Sequence, residues 1–303
     1  MKEYRYKAYG VTFETPFPCP LEKYTKGIPQ IRITYGKTPD ALTPVQNEGV
    51  LYQANESEFL FYLKGVGRYW VQSPKKIIIQ PDEEASVKDL RVFLFSSVFG
   101  YLLQKRGFLT IHANAVRFHK KGILIAGPSG VGKSTLTKAL IAGGARFMVD
   151  DIASISFDQS GIPYVAAGLP RLKLWKDALK KLALEPSGLE PVREGLEKYE
   201  YNQFPVIKTH AQVHLIIVLR THNKPDIQVS RLTGAEKFNV LKSNTYRYQF
   251  LTSSKDTKNH FEMASRLAGA VEIYRITRPT GSFMLNELVE KVKKTVNTHG
   301  NER

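Results

Sequence analysis

Residues 127–135 read Gly-Pro-Ser-Gly-Val-Gly-Lys-Ser-Thr, and no other stretch constrains the fold as strongly. An apolar run, residues 122–126, precedes it, and an apolar-periodic segment starts near Leu136. Strand, glycine-rich turn and helix start is the context a phosphate-binding loop requires. Glycines let the backbone curl until its N–H groups point inward as an anion nest, and the helix N-terminus adds its partial positive charge. The spacing assigns phosphate contact to Gly127, Ser129, Gly130, Val131, Gly132, Lys133, Ser134 and Thr135, with Lys133 reaching the β- and γ-phosphates. The Ser134 hydroxyl is placed for Mg²⁺. A nucleoside triphosphate, ATP in the first instance, is the implied ligand.

A second chemical feature follows one helix later. Residues 146–151, Arg-Phe-Met-Val-Asp-Asp, form a short apolar strand that ends in two carboxylates, Asp150 and Asp151, 17 residues after Lys133. In an open α/β sheet, ligands bind beyond the carboxyl ends of the strands, so this pair is expected beside the γ-phosphate. One carboxylate suits Mg²⁺, a hard cation. The other suits orienting and deprotonating an acceptor hydroxyl. Adjacent strand residues face opposite sides, so the two are expected to split these roles. His112 lies on the strand before the phosphate loop, where a structural and a functional role both stay open on spacing alone.

The rest of the chain sets bounds. A length of 303 residues suits one large α/β domain plus a smaller one. Short β-rich runs at residues 4–13, 31–35, 59–63, 67–71 and 76–80 read as an antiparallel module, giving expected domains 1–85 and 86–303. Residues 87–105 have helical spacing and close on Lys105-Arg106-Gly107. Residues 185–205, with Pro186, Pro191 and Pro205, read as loop. Helices are further expected near 132–142, 175–184, 234–241, 259–270 and 282–295.

Cys19 is the single cysteine, which excludes an intramolecular disulfide and a cysteine zinc cluster and suits a reducing cytoplasm. The first residues lack an apolar signal core, and the longest apolar stretch, residues 92–103, is too short to span a bilayer. The net charge of +16 is concentrated: residues 101–150 carry 8 basic and 1 acidic side chains, whereas residues 1–100 carry 13 and 11. Such a field attracts ATP and acidic peptide as well as nucleic acid, and no nucleic-acid-binding signature accompanies it.

In order, Ile111-His112-Ala113, the loop at 127–135, Val149-Asp150-Asp151 and residues 168–175 (Gly-Leu-Pro-Arg-Leu-Lys-Leu-Trp) resemble the HPr kinase/phosphorylase-type P-loop kinases. More closely, the chain resembles their standalone relatives that phosphorylate a serine of ribosomal peptide precursors in lasso-peptide biosynthesis. The resemblance implies an α/β, PEP-carboxykinase-like P-loop core with a mixed sheet, preceded by a small β-rich domain. It also implies a His-plus-Asp arrangement around the acceptor hydroxyl, matched by His112, Asp150 and Asp151. Pro170 and Trp175 depart from the Gly- and Ile-rich pattern linked to phosphorolysis in true HPr kinases. The implied activity is therefore an ATP- and Mg²⁺-dependent serine kinase acting on a peptide or protein, with a homo-oligomer left open. Kinases of HPr-type proteins or small metabolites, and a nucleotide-gated regulatory ATPase, are the alternatives. Arg171, Lys173, Lys198 and Arg278 are candidate clamps for phosphate or substrate, Arg171 and Lys173 first among them.

Overall fold

The computed structural model describes residues 3–281 and 284–298. The chain divides into two compact units, Met1–Thr110 with Tyr246–Met263, and Ile111–Thr245 with Ala264–Arg303.

The first unit carries eight strands: β1 (Tyr4–Ala8), β2 (Val11–Thr15), β3 (Ile31–Tyr35), β4 (Asn47–Gly49), β5 (Tyr52–Ala54), β6 (Phe59–Leu63), β7 (Gly67–Ser73) and β8 (Lys76–Pro81). They make one sheet in the order β1-β2-β3-β8-β7-β6-β5-β4. It is mixed rather than antiparallel, because β3 lies parallel to both β2 and β8. The fifteen or so residues between β2 and β3 are long enough for such a crossover.

The expected helix over 87–105 is interrupted. It splits into α1 (Val87–Phe93), capped by Ser86 accepting from the Asp89 N–H at 3.1 Å, and α2 (Phe99–Lys105), with a π-helical turn over Leu94–Val98. At the break the Ser96 hydroxyl donates to the Val92 carbonyl at 2.7 Å, competing with the backbone ladder.

These helices belong to the sheet. Phe13 packs on Phe99 and Phe95 at ring separations of 5.3 and 5.6 Å, and the Tyr69 hydroxyl donates to the Leu90 carbonyl at 3.0 Å. Phe59 stacks on Tyr101 at 4.5 Å and meets Phe250 edge-on at 4.9 Å. The unit therefore runs past the expected boundary at residue 85 to Thr110 and takes in Tyr246–Met263, because its aromatic core is completed by those later residues.

The chain passes into the second unit through β9 (Leu109–Ile111). There follow β10 (Ala113–Phe118), β11 (Lys121–Ala126), α3 (Lys133–Ala142), β12 (Arg146–Val149), β13 (Ala153–Phe157), β14 (Pro163–Ala166), β15 (Leu172–Trp175), α4 (Lys176–Lys181), β16 (Glu190–Pro191), β17 (Lys198–Tyr201) and β18 (His210–His222). The chain ends with β19 (Gln228–Arg231), α5 (Gly234–Ser243), α6 (Ser254–Ala270), β20 (Glu272–Pro279) and α7 (Leu285–Thr298). Residues 282 and 283, where the final helix was expected to start, lie outside the described residues.

Three parallel strands, β11, β18 and β20, are the axis of this unit. Their central residues, such as Ile125, Ile217 and Ile276, are buried against Leu136 and Leu140 of α3 and Leu288 and Val292 of α7. Strands buried on both faces read as continuous apolar runs, as Ile123–Ala126 and Leu215–Leu219 do here. β10 adds antiparallel to β11, and β12 antiparallel to β10. The parallel direction puts the ends of β11 and β20, Ala126 and Arg278, and Arg220 near the end of β18, on one side of the sheet.

The stretch expected as loop over 185–205 holds two short strands instead. β17 pairs with β15 and with β16 in a separate three-stranded sheet. Lys198-Tyr-Glu-Tyr is a β-prone run that the surrounding prolines hide from a local reading. Among the described residues no helix is long and apolar enough to cross a membrane.

Candidate active site

The glycine-rich loop joins β11 to α3 as its residue pattern requires. Gly127 has φ 141° and Gly132 φ 105°, conformations that side chains rarely adopt. At Gly127 a Cβ would also lie 2.6 Å from the Leu219 carbonyl oxygen. A glycine there lets the loop leave β11 hard against β18.

Lys133 opens α3 and is only 8% exposed. Its ammonium donates to the Gly127 and Pro128 carbonyls at 2.8 and 3.1 Å and lies 3.1 Å from His112 Nε2. Burial lowers its pKa, with Asp151 and Asp150 opposing that shift. A partly desolvated ammonium is a strong partner for phosphate oxygens.

β12 ends at Val149, one residue before the aspartates. Asp151 takes φ 77°, a left-handed conformation that aspartate tolerates. The alternation expected of adjacent strand residues therefore does not apply, and Asp150 and Asp151 line one pocket together. Backbone strain of this kind gathers where side chains have to be aimed.

The two carboxylates are nevertheless held differently. Asp151 Oδ1 is 3.2 Å from His112 Nδ1, and its Oδ2 accepts from Lys173 Nζ at 3.0 Å. Asp150 Oδ2 accepts the Lys173 backbone N–H at 3.0 Å, and its other oxygen has no hydrogen-bond partner among the described residues. Burial pushes the Asp150 carboxyl above the usual range. Burial acts on Asp151 as well, but Lys173 and His112 hold it well below that range. For Lys173, burial is outweighed by Asp151 and Asp150, which raise its ammonium above its ordinary value.

The pocket, about 650 Å³ including its mouth, gathers His112, Ser129, Gly130, Lys133, Ser134, Thr135 and both aspartates with Lys173. Arg171 is not among its lining residues: it lies just before β15, and its guanidinium pairs with Glu200 in a largely buried ion pair. Arg278 lines an adjoining pocket that shares Gly130, Gly132 and Thr135 with the first, its guanidinium donating to the Val131 carbonyl at 3.0 Å.

Asn114 was not singled out from the sequence. Its amide nitrogen donates to Thr137 Oγ1 at 3.1 Å and Ser134 Oγ at 3.4 Å, and its oxygen accepts the Asp151 N–H at 3.4 Å. One side chain thus ties the loop helix to the aspartate turn. His112, expected on a strand, sits instead at the bend between β9 and β10, and Asn114 follows it two residues on, near the start of β10.

The donor set fits Mg²⁺. No group of three or more His, Cys, Asp and Glu side chains placed to hold a metal occurs among the described residues. Mg²⁺ in phosphoryl-transfer sites takes only one or two protein ligands and completes its shell with phosphate and water. A serine hydroxyl and a carboxylate oxygen without a partner, Ser134 and Asp150, supply such a set.

No family model matches this chain, and no curated protein matches it. Among solved structures it is similar to the Hpr(Ser) kinase/phosphatase from Coxiella burnetii, with 17% identity and a TM-score of 0.31, over 63% of this chain and 95% of that chain. A likeness of this size assigns neither fold nor activity. The strands and contacts above describe a mixed α/β protein with a glycine-rich strand-to-helix loop at the end of its central parallel strands.

Proposed function

We propose that the second unit is an ATP- and Mg²⁺-dependent kinase that transfers the γ-phosphate to a hydroxyl. The observation that carries this reading is the convergence of Lys133, Ser134, His112, Asp150 and Asp151 on one pocket at the end of β11. Phosphoryl transfer asks little covalent chemistry of a protein and depends on positioning and charge.

The backbone amides of Gly130 to Ser134 hold the β-phosphate, and Lys133 leaves its loop carbonyls to neutralise γ-oxygens. Ser134 and Asp150 would hold Mg²⁺, which would supply neutralisation of phosphate charge. Asp151, contacted by His112 and kept ionised by Lys173, orients the acceptor hydroxyl and takes its proton at a carboxylate oxygen. Asn114 keeps that turn in register with α3.

The acceptor class rests on the resemblance of the chain to the lasso-peptide precursor kinases: a seryl hydroxyl on a peptide. The basic surroundings of the loop suit an acidic peptide segment. The test is transfer of labelled γ-phosphate from ATP to serine-bearing precursor peptides, free serine and carrier proteins, with wild type and Asp151→Asn. Phosphopeptide from the wild type alone supports the reading. Full activity of Asp151→Asn, or ATP turnover with no phosphorylated acceptor, sinks it.

A further inference from the structure

Four cations were candidate clamps, and the structure treats them unequally. Arg171 is committed to Glu200 and Lys173 to Asp151, while Arg278 donates to the loop carbonyl of Val131. Lys198 has no carboxylate within ion-pair distance among the described residues, yet it lines the same pocket as Lys133 and Asp150. Its charge is felt at both of those groups.

What holds Lys198 is an aromatic ring. β15 and β17 pair with Trp175 directly opposite Lys198, so the two side chains share one face of the small sheet. The Lys198 ammonium lies 5.2 Å from the centroid of the Trp175 ring, which lines the pocket and is 43% exposed. A cation–π contact of this kind steadies an ammonium without neutralising it. The strand is itself fixed by the pairing of Glu200 with Arg171 two residues on. An unneutralised cation at the mouth of an anion pocket, held by a scaffold separate from the phosphate loop, is built to meet charge that appears during a reaction.

We propose that Lys198 contacts the γ-phosphoryl group during transfer, opposite Lys133, and that Trp175 positions it. This rests on the kinase reading above. Lys133 and the loop amides serve the bound nucleotide; Lys198 serves the phosphoryl group as its bond to the leaving ADP oxygen breaks and that to the acceptor oxygen forms. The proton goes to Asp151.

ADP with Mg²⁺ and aluminium fluoride imitates that transferring group, so binding of the full chain to ADP–Mg²⁺, with and without aluminium fluoride, separates the two roles. In wild type, aluminium fluoride is expected to tighten binding at least tenfold. Lys198→Met should lose about tenfold of that gain, the scale of one charge-assisted contact. Its ADP–Mg²⁺ affinity should stay within about twofold of wild type, which also shows that it folds. Lys198→Arg should recover most of the gain, and Trp175→Leu should lose about threefold through positioning alone. Equal tightening in Lys198→Met and wild type overturns the assignment of Lys198 and leaves the kinase reading intact. No tightening in wild type brings down the kinase reading, and this inference with it.

Discussion

Each unit contains a sheltered lysine–aspartate pair, and the two are built for opposite ends. In the first unit Lys105 and Asp256 meet at 2.6 Å with side chains 9% and 14% exposed. Lys105 also donates to the Glu56 carbonyl and Thr252 Oγ1, and Asp256 accepts from the Ser253 N–H, so every strong group there has its partner inside the fold. In the second unit Lys173 and Asp151 meet at 3.0 Å, but the aspartate stays 31% exposed and opens on a pocket. The first pair closes a structure. The second leaves its carboxylate facing a pocket. The difference is access to solvent and ligand rather than pair geometry.

Removing one partner from each pair tests that contrast most severely. Asp151→Asn should lower phosphoryl transfer by about 10² to 10⁴-fold, the range for losing a positioned base, with nucleotide affinity nearly unchanged. Steady-state kinetics and nucleotide titration read the two quantities. Lys105→Met should instead destabilise the protein by about 3 kcal/mol, since it strands a sheltered carboxylate, and leave nucleotide affinity alone. Urea unfolding with a bound-nucleotide assay would show it. Reversed outcomes would erase the distinction.

Gly127→Ala comes next. The added Cβ meets the Leu219 carbonyl oxygen at 2.6 Å in a backbone of φ 141°, so a penalty of about 1–3 kcal/mol should appear as weakened nucleotide binding. Gly130→Ala, where a Cβ meets open space, should cost less.

Acid sharpens the comparison further. Burial would raise the Asp256 carboxyl, but the Lys105 hydrogen bond and charge outweigh it and depress the group below its ordinary value of 3.8. The folded state therefore favours the ionised form. The stabilisation is complete above the unfolded value and is lost as pH falls below it through the folded value. Unfolding midpoints for wild type and Asp256→Asn should diverge above about pH 4 and converge below it. At the small end, Arg231→Ala, which removes a surface pair with Glu272, should cost under about 1 kcal/mol.

What could be read from the chain alone divides along similar lines. The strand–loop–helix geometry at 127–135 is legible because its requirements are local: glycines at positive φ, a strand before, a helix after. For the aspartates the period-2 rule gives the wrong faces, since β12 stops at Val149 and Asp151 turns left-handed. β17 was hidden because its pairing with β15 joins residues more than twenty positions apart. The unit boundary failed for the same reason on a larger scale. Nothing near residue 85 signals that Phe250 will pack on Phe59.

That last contact has a consequence for how the protein is made. The aromatic core of the first unit is finished by residues 246–263, so a nascent chain that has emerged only through Thr110 lacks a wall of that core. Residues 111–245, the larger piece of the second unit, are synthesised in between. The N-terminal unit thus matures late, against the usual order in which domains fold as they leave the ribosome. A fragment ending at residue 110 should remain loosely packed until a peptide spanning 246–263 is supplied.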